Sequence, residues 1–403
     1  MPKKLAYGGE DFFLFHGVEN GTGNPDWLGE IFDWLSGSHE MAGGEPDSVG
    51  RVRYAETVFS RHKISPWKPQ ATLLMGWLET RLSDGRGAEG IAKPPSLIPG
   101  VEHIVVCTHD VDFYFVSRWR TFERLVKNLA IARVLYRSRG YFISNLKMLA
   151  QLLTGKRVGD YFPALLRAAK KYGFTSTIFV VSEKHHRRDP VYRLDHLAAR
   201  LGEVAQAGFS IGLHGSYTSA SERDSLTTEA ASLKNAIGTK PVGGRQHWLR
   251  FASRTKLLSG VEKAGFQYDS SMGFAEMVGF RNGASFAFPP YDFEKEAPYS
   301  FLEIPLVLMD GNLEAACRAE GSDPRSIAAQ VLRESRAHGW GGVAILWHNP
   351  IEAIHVPEEI NQIFWKCARE RSEFQEEWVS AESFISLCRD RYRDAGLLKG
   401  SSQ

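Results

Sequence analysis

The stretch HIVVCTHDVD, residues 103–112, decides how the rest of the chain is interpreted. Its first six residues form a short apolar run of the kind found in buried strands. Asp110 and Asp112 follow at the carboxyl end, and in an extended segment residues two apart point to the same face. Paired carboxylates at a strand end suit a metal ligand beside a general base, whereas a pair of turn-forming aspartates is the alternative.

Further along the chain, similar apolar runs alternate with segments of helical periodicity. Four more of these predicted strands end in an acidic residue or a histidine: His214, Asp269, Asp310 and His348. Strands that alternate with helices predict a parallel sheet, either open or closed into a barrel. In a barrel the carboxyl ends of the strands converge on one face, where catalysis takes place. We therefore predict that these strand ends form one site.

Residues 91–103 contain three prolines and a glycine, and this composition indicates a domain boundary. The residues before it combine strand-like aromatic stretches with helical segments. We predict a smaller N-terminal α+β accessory domain over residues 1–98 and an α/β fold, a (β/α) barrel, over residues 99–395. A chain of 403 residues agrees with two or three domains, since a domain averages roughly 150 residues.

Composition excludes several classes of protein. Apolar residues make up 43%, and 49 Lys and Arg face 47 Asp and Glu, which excludes a disordered chain and gives no sign of a nucleic-acid-binding protein. The four cysteines form no CxxC pair, so neither a disulfide framework nor a zinc-thiolate site is predicted. The basic N-terminus is followed by no apolar run, so we expect no secretory signal and a cytoplasmic location.

Three later segments carry further candidate residues. His214 precedes Gly215 at a strand end, where metal ligation competes with a purely structural role. In the segment 243–251, Arg245 suits a bidentate contact that keeps a catalytic carboxylate charged. The aromatic residues Trp248 and Phe251 there either stack on a sugar ring or pack on the barrel rim. His348 ends the last strand and is a candidate general acid for a departing amine.

In this order the motifs resemble those of carbohydrate esterase family four, the NodB-homology polysaccharide deacetylases, over roughly residues 101–395. The resemblance implies a distorted (β/α) barrel of NodB-homology type and a divalent metal ion, expected to be zinc. It also implies a general base, Asp110, oriented by Arg245, and the metal ligands Asp112 and His214, with His348 as the acid. The predicted substrate contacts are the aromatic side chains of these motifs: Tyr217, Trp248, Phe251 and Trp347.

One position departs from the family pattern. The second motif normally supplies another histidine four residues after the first, and Thr218 occupies that position here. A catalytic zinc usually has three protein ligands and a water, so another residue must complete the set or the site is degenerate. His247, in the adjoining motif, is the first candidate for this ligand and His109 the second.

Residues 117–159 form a basic insertion in the predicted barrel. They contain ten Lys and Arg residues and one acid, Glu123, with apolar residues at helical spacing. Basic amphipathic helices lie on anionic membrane surfaces, or they are solvated helices whose apolar face packs on the barrel. Peripheral contact with the inner membrane would suit a lipid-linked sugar substrate.

The predicted function is removal of N-acetyl groups from an N-acetylated sugar in bacterial polysaccharide biosynthesis, with Asp269 or Asp310 tuning His348. Two alternatives stay open. Thr218 favours a carbohydrate-binding relative that has lost its metal and its activity. A metal-dependent amidase that acts on another C–N bond would use the same residues, and neither alternative involves nucleic acid.

Overall fold

The structure is a computed structural model. The structure describes residues 3–7, 10–15, 25–41, 45–84, 97–114, 117–133, 139–156, 158–190, 192–251, 254–339, 341–352 and 356–394. Within these ranges, no helix combines the length and the apolar character needed to cross a membrane.

The N-terminal part combines a hairpin with short helices. Its secondary structure consists of strands β1 (Lys3–Tyr7) and β2 (Glu10–Leu14), which pair antiparallel, and helices α1 (Trp27–Ser36), α2 (Ser38–Met41), α3 (Val58–His62) and α4 (Gln70–Asp84). Asp26 caps α1 by accepting a hydrogen bond from the amide of Gly29, which satisfies one free donor of the first turn.

The remaining residues form a parallel sheet wrapped by helices. Its strands are β3 (His103–Asp110), β4 (Thr177–Val180), β5 (Ser210–Gly215), β6 (Gly243–Gln246), β7 (Tyr268–Asp269), β10 (Leu302–Glu303), β11 (Leu306–Met309), β12 (Gly341–Leu346) and β13 (Glu376–Val379). They follow the order β10-β7-β6-β5-β4-β3-β12-β11, and β13 also pairs with β3. The short antiparallel pair β8 (Tyr291–Asp292) and β9 (Ala297–Pro298) lies outside this sheet.

The sheet curls because its two end strands, β10 and β11, belong to one continuous segment. Only Ile304 and Pro305 separate them, although they occupy opposite ends of the strand order. Pro305 interrupts this segment because proline cannot donate a ladder hydrogen bond. The predicted fold, a distorted (β/α) barrel of NodB-homology type, is confirmed.

Helices cover the barrel between its strands. They are α5 (Arg118–Ile131), α6 (Arg139–Leu153), α7 (Phe162–Tyr172), α8 (Leu194–Gln206), α9 (Ser225–Ile237), α10 (Arg254–Lys263), α11 (Asp310–Glu320), α12 (Pro324–His338), α13 (Glu358–Glu370) and α14 (Ala381–Asp394). Helix α7 ends at Gly173 because this residue adopts the left-handed conformation with φ 69°.

A buried ionic cluster attaches β13, which the sequence analysis did not predict, to the barrel. The carboxylate of Glu376 lies 2.7 Å from Nδ1 of His103 and 2.8 Å from Nε of Arg336. The indole of Trp378 donates a third hydrogen bond to it at 2.7 Å. Burial alone would raise the pKa of Glu376, but the hydrogen bonds and charges of His103 and Arg336 lower it to about 2.

The N-terminal part packs directly on the loop that follows β7. Arg281 forms an ion pair with Glu40 at 2.7 Å, and both side chains are at most 10% exposed. The amide of Phe280 donates to the carbonyl of Pro66 at 2.8 Å. Gly279 adopts φ 131°, and an added Cβ would lie 2.2 Å from that carbonyl oxygen, so only glycine allows this close approach. The domain limits 1–98 and 99–395 stay a prediction.

Candidate active site

The carboxyl ends of β3, β5, β6, β11 and β12 meet at one cleft, whereas Asp269 at the end of β7, which the sequence pattern also predicts there, does not line it. Asp110 is the last residue of β3, His214 lies in β5, and Arg245 lies in β6. Asp310 directly follows β11, and His348 follows β12 by two residues. The cleft has a volume of about 190 Å³. It is lined by Arg51, Asp110, Asp112, His214, Gln246, His247, Trp248, Leu249, Met309, Leu346 and His348.

A buried ion pair positions the candidate base. Nη1 of Arg245 donates to Oδ1 of Asp110 at 2.9 Å and to the hydroxyl of Thr108 at 2.7 Å. The other guanidinium nitrogens donate to the carbonyl and the hydroxyl of Ser270 at 2.8 and 2.9 Å. The Arg245 side chain has no solvent exposure and that of Asp110 has 3%. The arginine is therefore immobile, and Oδ2 of Asp110 is directed towards His214, 3.6 Å away.

Glycine allows Arg245 to reach this position. A Cβ on Gly243 would lie 2.5 Å from the carbonyl oxygen of Tyr268, which no side chain can tolerate without displacing β7. The glycine therefore lets β6 lie close beside β7, and from β6 the guanidinium of Arg245 reaches Asp110 at the end of β3.

Asp112, His214 and His247 form a candidate metal site. Nε2 of His214 and Nε2 of His247 both lie 3.5 Å from Oδ1 of Asp112, and one donor atom from each residue lies within 4.8 Å of the others. These separations exceed hydrogen-bond lengths. They match donors arranged around a tetrahedral zinc at about 2.0–2.2 Å, which are roughly 3.4 Å apart. Oδ1 of Asp112 is buried and accepts no hydrogen bond from the described residues, so the donor set fits a divalent metal.

Nε2 of both histidines faces Asp112: a hydrogen bond orients His214, and the carboxylate of Asp189 lies near Nδ1 of His247. Nδ1 of His214 donates to the carbonyl of Arg245 at 3.0 Å, since a carbonyl can only accept. Nδ1 of His247 lies 3.6 Å from Oδ1 of Asp189. Asp189 is itself fixed, because its carboxylate accepts from the backbone amides of Tyr217 at 2.7 Å and of His186 at 2.7 Å. Such partners of metal-binding histidines fix the tautomer and the ring orientation.

The charges of the site shift the pKa values of these groups. Burial alone would raise the pKa of Asp112, but the neighbouring His247, His214 and His348 hold it far below its usual range. Burial would lower the pKa of His214, yet Asp110 and Asp112 raise it above its usual value. The carboxylate of Asp112 is therefore available as an anionic ligand.

His348 is held by Asp310 at the opposite side of the cleft. Its Nδ1 lies 2.7 Å from Oδ1 of Asp310, and its backbone amide donates to Oδ2 at 3.0 Å. Nε2 consequently faces the cleft and lies 3.6 Å from Oδ2 of Asp112. Burial alone would lower the pKa of His348, but Asp310, with smaller contributions from Asp112 and Asp110, raises it to about 10. The imidazole can therefore carry a proton at neutral pH.

The structure distinguishes between residues that the sequence left as alternatives. Of the two candidates beside His348, Asp310 contacts it, whereas Asp269 hydrogen-bonds the amide of Ser271. His109 lies outside the metal cluster, with Nδ1 2.6 Å from the carbonyl of Trp347. The hydroxyl of Thr218 lies 3.2 Å from that of Ser216 and is not part of the cleft wall.

The four aromatic residues predicted to contact substrate occupy different environments. Trp248 lines the cleft, is 40% exposed and adopts the left-handed conformation with φ 65°, which is strained for a bulky residue. Tyr217 lies behind it and stacks on His186, with 4.4 Å between ring centroids. Phe251 and Trp347 are only 6% and 1% exposed and pack in the hydrophobic core, so their burial does not suit a sugar contact.

Four residues contribute to the site without being predicted from the sequence: Asp189, Thr108, Ser270 and Arg51. Asp189 belongs to a loop after β4 whose only local signal is an Asp-Pro turn. Arg51 comes from the N-terminal part and lines the cleft through a contact between residues remote in sequence. Only the folded chain brings these residues to the cleft.

Comparison with known proteins gives matches among solved structures only. No protein-family profile matches the chain, and no curated protein does. A protein of Mycobacterium smegmatis assigned as a polysaccharide deacetylase is 18% identical, with a TM-score of 0.44 over 74% of this chain and 94% of that one. Peptidoglycan deacetylase PdaC of Bacillus subtilis is 10% identical, with a TM-score of 0.34 over 74% of this chain and 97% of that one.

The family 4 carbohydrate esterase of Streptomyces lividans is a further match, at 11% identity and a TM-score of 0.32 over 66% of this chain and 91% of that one. The predicted resemblance is confirmed. At these identities it concerns the fold alone, so the chemistry has to be argued from the residues of the cleft.

Proposed function

We propose that the protein is a metal-dependent hydrolase that removes N-acetyl groups from an N-acetylated sugar. The observation that carries this proposal is the arrangement of three functions in one cleft. Asp110, whose carboxylate is bound by Arg245, lies within 4 Å of the candidate ligand His214. His348, whose imidazole is bound by Asp310, lies within 4 Å of the candidate ligand Asp112. Amide hydrolysis needs these functions together: a base for water, an electrophile for the carbonyl oxygen and an acid for the amine.

Asp112, His214 and His247 would hold the metal, which we propose to be zinc because two imidazoles and one carboxylate are a set that zinc uses in catalytic sites. When bound, such an ion supplies Lewis-acid polarisation of the amide carbonyl and lowers the pKa of water. With His247 in the set, the third protein ligand comes from the end of β6 instead of from position 218.

The chain's own residues divide the proton transfers between two sides of the cleft. Asp110 accepts the proton of the attacking water, and Arg245 binds Oδ1 of that carboxylate so that Oδ2 is directed towards His214. On the other side, Nε2–H of His348 donates a proton to the departing amine, while Asp310 stabilises the charged imidazole. The carboxylates of Asp310, Asp112 and Asp110 keep this imidazole protonated before the reaction, since they raise the pKa of His348 to about 10.

Asp112 provides the direct test. We expect Asp112→Ala to abolish both zinc binding, measured by elemental analysis of the purified protein, and release of acetate from acetylated oligosaccharides. Asp195→Asn is the matched control, because this carboxylate is exposed and pairs only at the surface with Arg193. Turnover that persists in Asp112→Ala would contradict the proposal.

Thr218 supports the second candidate, a carbohydrate-binding relative without activity. Elemental analysis separates the two functions. About one equivalent of zinc with acetate release supports the hydrolase, whereas a protein that binds acetylated glycans but takes up no zinc after reconstitution supports the binding protein. An amidase for another C–N bond would hold zinc and cleave small acetamides in preference to glycans.

A further inference from the structure

Helices α5 and α6 form an antiparallel hairpin with its own small core. The side-chain amide of Asn128 donates to Oδ1 of Asn145 at 3.0 Å, and Arg118 donates to the carbonyl of Leu152 at 2.6 Å, which places the start of α5 beside the end of α6. The inner faces, together with Val158 after the end of α6, form a buried cluster that is separate from the barrel core: Leu125, Met148, Leu152 and Val158. The apolar residues that hold the hairpin together are thus already covered.

The outer faces of the same helices expose further large apolar side chains. Five of the eleven exposed large hydrophobic residues in the described part of the chain lie here: Trp119, Val126, Ile143, Leu146 and Leu153. Trp119 is 65% and Leu153 is 67% exposed. Single exposed apolar residues are common on soluble proteins, whereas their concentration on one element marks an interaction surface.

The exposed cations of the hairpin determine the chemistry of its partner. Arg120, Lys127 and Lys156 are exposed and form no ion pair with the carboxylates that the structure describes. Within residues 117–159 the sequence contains ten cations and the single acid Glu123, although the whole chain has a net charge of only +2. The positive charge is thus concentrated on the element that also exposes the apolar side chains.

The hairpin is attached to the barrel close to two motifs of the candidate active site. It leaves the barrel directly after the Asp112 motif, where the guanidinium of Arg124 lies 4.0 Å from the ring centre of Phe113. It returns at Gly159, whose amide donates to the carboxylate of Glu352 at 2.8 Å, four residues after His348. Both attachment points therefore lie on the face of the barrel that holds the candidate active site.

We propose that the α5–α6 hairpin binds the surface of an anionic phospholipid membrane. Cations around an apolar patch suit this surface, because the side chains enter the boundary of the acyl chains while Arg and Lys contact the headgroups. A nucleic acid would match the charge but leave Trp119, Leu146 and Leu153 without an apolar partner. On the basis of the proposed function, the acetylated sugar would then be presented at the membrane, as in a lipid-linked glycan.

Vesicle sedimentation with the full-length chain tests the proposal. We expect binding to phosphatidylglycerol-containing vesicles that weakens with added salt, and little binding to pure phosphatidylcholine. Arg120→Glu with Lys127→Glu should weaken binding roughly 25-fold or more, at about fivefold for each cation removed. The matched control is Lys234→Glu with Lys240→Glu, which changes the net charge equally outside the hairpin and should bind like the wild type.

A second pair of variants tests the apolar contribution. Leu146→Ser with Leu153→Ser should weaken vesicle binding roughly tenfold, because less apolar surface enters the membrane. Leu28→Ser with Leu82→Ser is its control, since these leucines are 70% and 77% exposed but lie in the N-terminal part.

Three results would overturn the proposal: no binding of the wild type to anionic vesicles, equal losses of vesicle binding in the hairpin and control variants, or binding to duplex DNA without binding to vesicles.

The proposed function is tested separately. The hairpin variants touch no cleft residue and should retain acetate release from a water-soluble acetylated oligosaccharide. If no form of the protein released acetate, the proposed function would fail while vesicle binding could still succeed.

Discussion

Replacing Arg245 by methionine removes the guanidinium that contacts Asp110 and leaves its carboxylate in an almost fully buried site. The two groups are 2.9 Å apart, and their side chains are 0% and 3% exposed, so solvent screens the remaining charge only weakly. Removal of one member of a buried ion pair costs about 3–5 kcal/mol of the free energy of unfolding. We expect Arg245→Met to lower the free energy of unfolding of the metal-free protein by an amount in this range.

A double-mutant cycle separates the ion pair from the other contacts of Arg245. Its hydrogen bonds to Thr108 and Ser270 are lost in either background and cancel in the cycle. Asp110→Asn removes the charge, so we expect the double variant to be more stable than the sum of the single effects by about 2–3 kcal/mol. Urea unfolding in the presence of a chelator, followed by tryptophan fluorescence and by circular dichroism, provides the measurement.

The exposed pair Arg193 and Asp195, 2.7 Å apart, gives the matched control cycle. Solvent screens these two charges, so little coupling is expected between them. A coupling between Arg245 and Asp110 no larger than in this control would refute the argument that burial makes Asp110 depend on the arginine.

Three further predictions concern other parts of the molecule. The pKa of Glu376 is lowered to about 2, and this shift contributes up to about 3 kcal/mol of stability above pH 4.5 that is lost as the pH falls towards 2. The difference between the free energies of unfolding in urea at pH 6 and at pH 3 should therefore be smaller in Glu376→Gln than in the wild type. Asp189→Asn should weaken zinc binding about 10–100-fold in competition with a chelator, because His247 loses the partner that orients it, and unchanged affinity would contradict this role. Gly243→Ala should destabilise the protein by about 1–3 kcal/mol, since the new methyl group meets the backbone of β7. The measurement is the shift in the midpoint of urea unfolding, and Gly202→Ala is the control because the space around Gly202 is open.

Strand positions and strand-end residues could be predicted because both follow from local patterns. The apolar runs before Asp110, His214 and His348 are buried strands, and the ends of parallel strands necessarily meet on one face. The choice of Asp310 over Asp269 could not be predicted, since it depends on how β11 is placed beside β12.

Other features depend on contacts between residues far apart in the chain. Strand β13 has a short alternating sequence, and its place beside β3 depends on Glu376 meeting His103, 273 residues away. The partner of His247 is likewise remote, because Asp189 comes from the loop after another strand. The burial of Phe251 and Trp347 could not be predicted either, since aromatic residues suit both a packed interior and a sugar-binding surface.

The closure of the sheet through Ile304 and Pro305 has a consequence for self-association. Unpaired strand edges are templates on which another chain can add a strand, and long flat edges promote aggregation. Here the strands at the two ends of the sheet order are only two and four residues long, and proline interrupts the segment between them. Phe288 further covers β10 through an antiparallel bridge to Glu303. The barrel therefore has little unpaired strand edge on which a second molecule could add a strand. A substitution at position 305 that restored the backbone hydrogen-bond donor would be the change most suited to create such an edge.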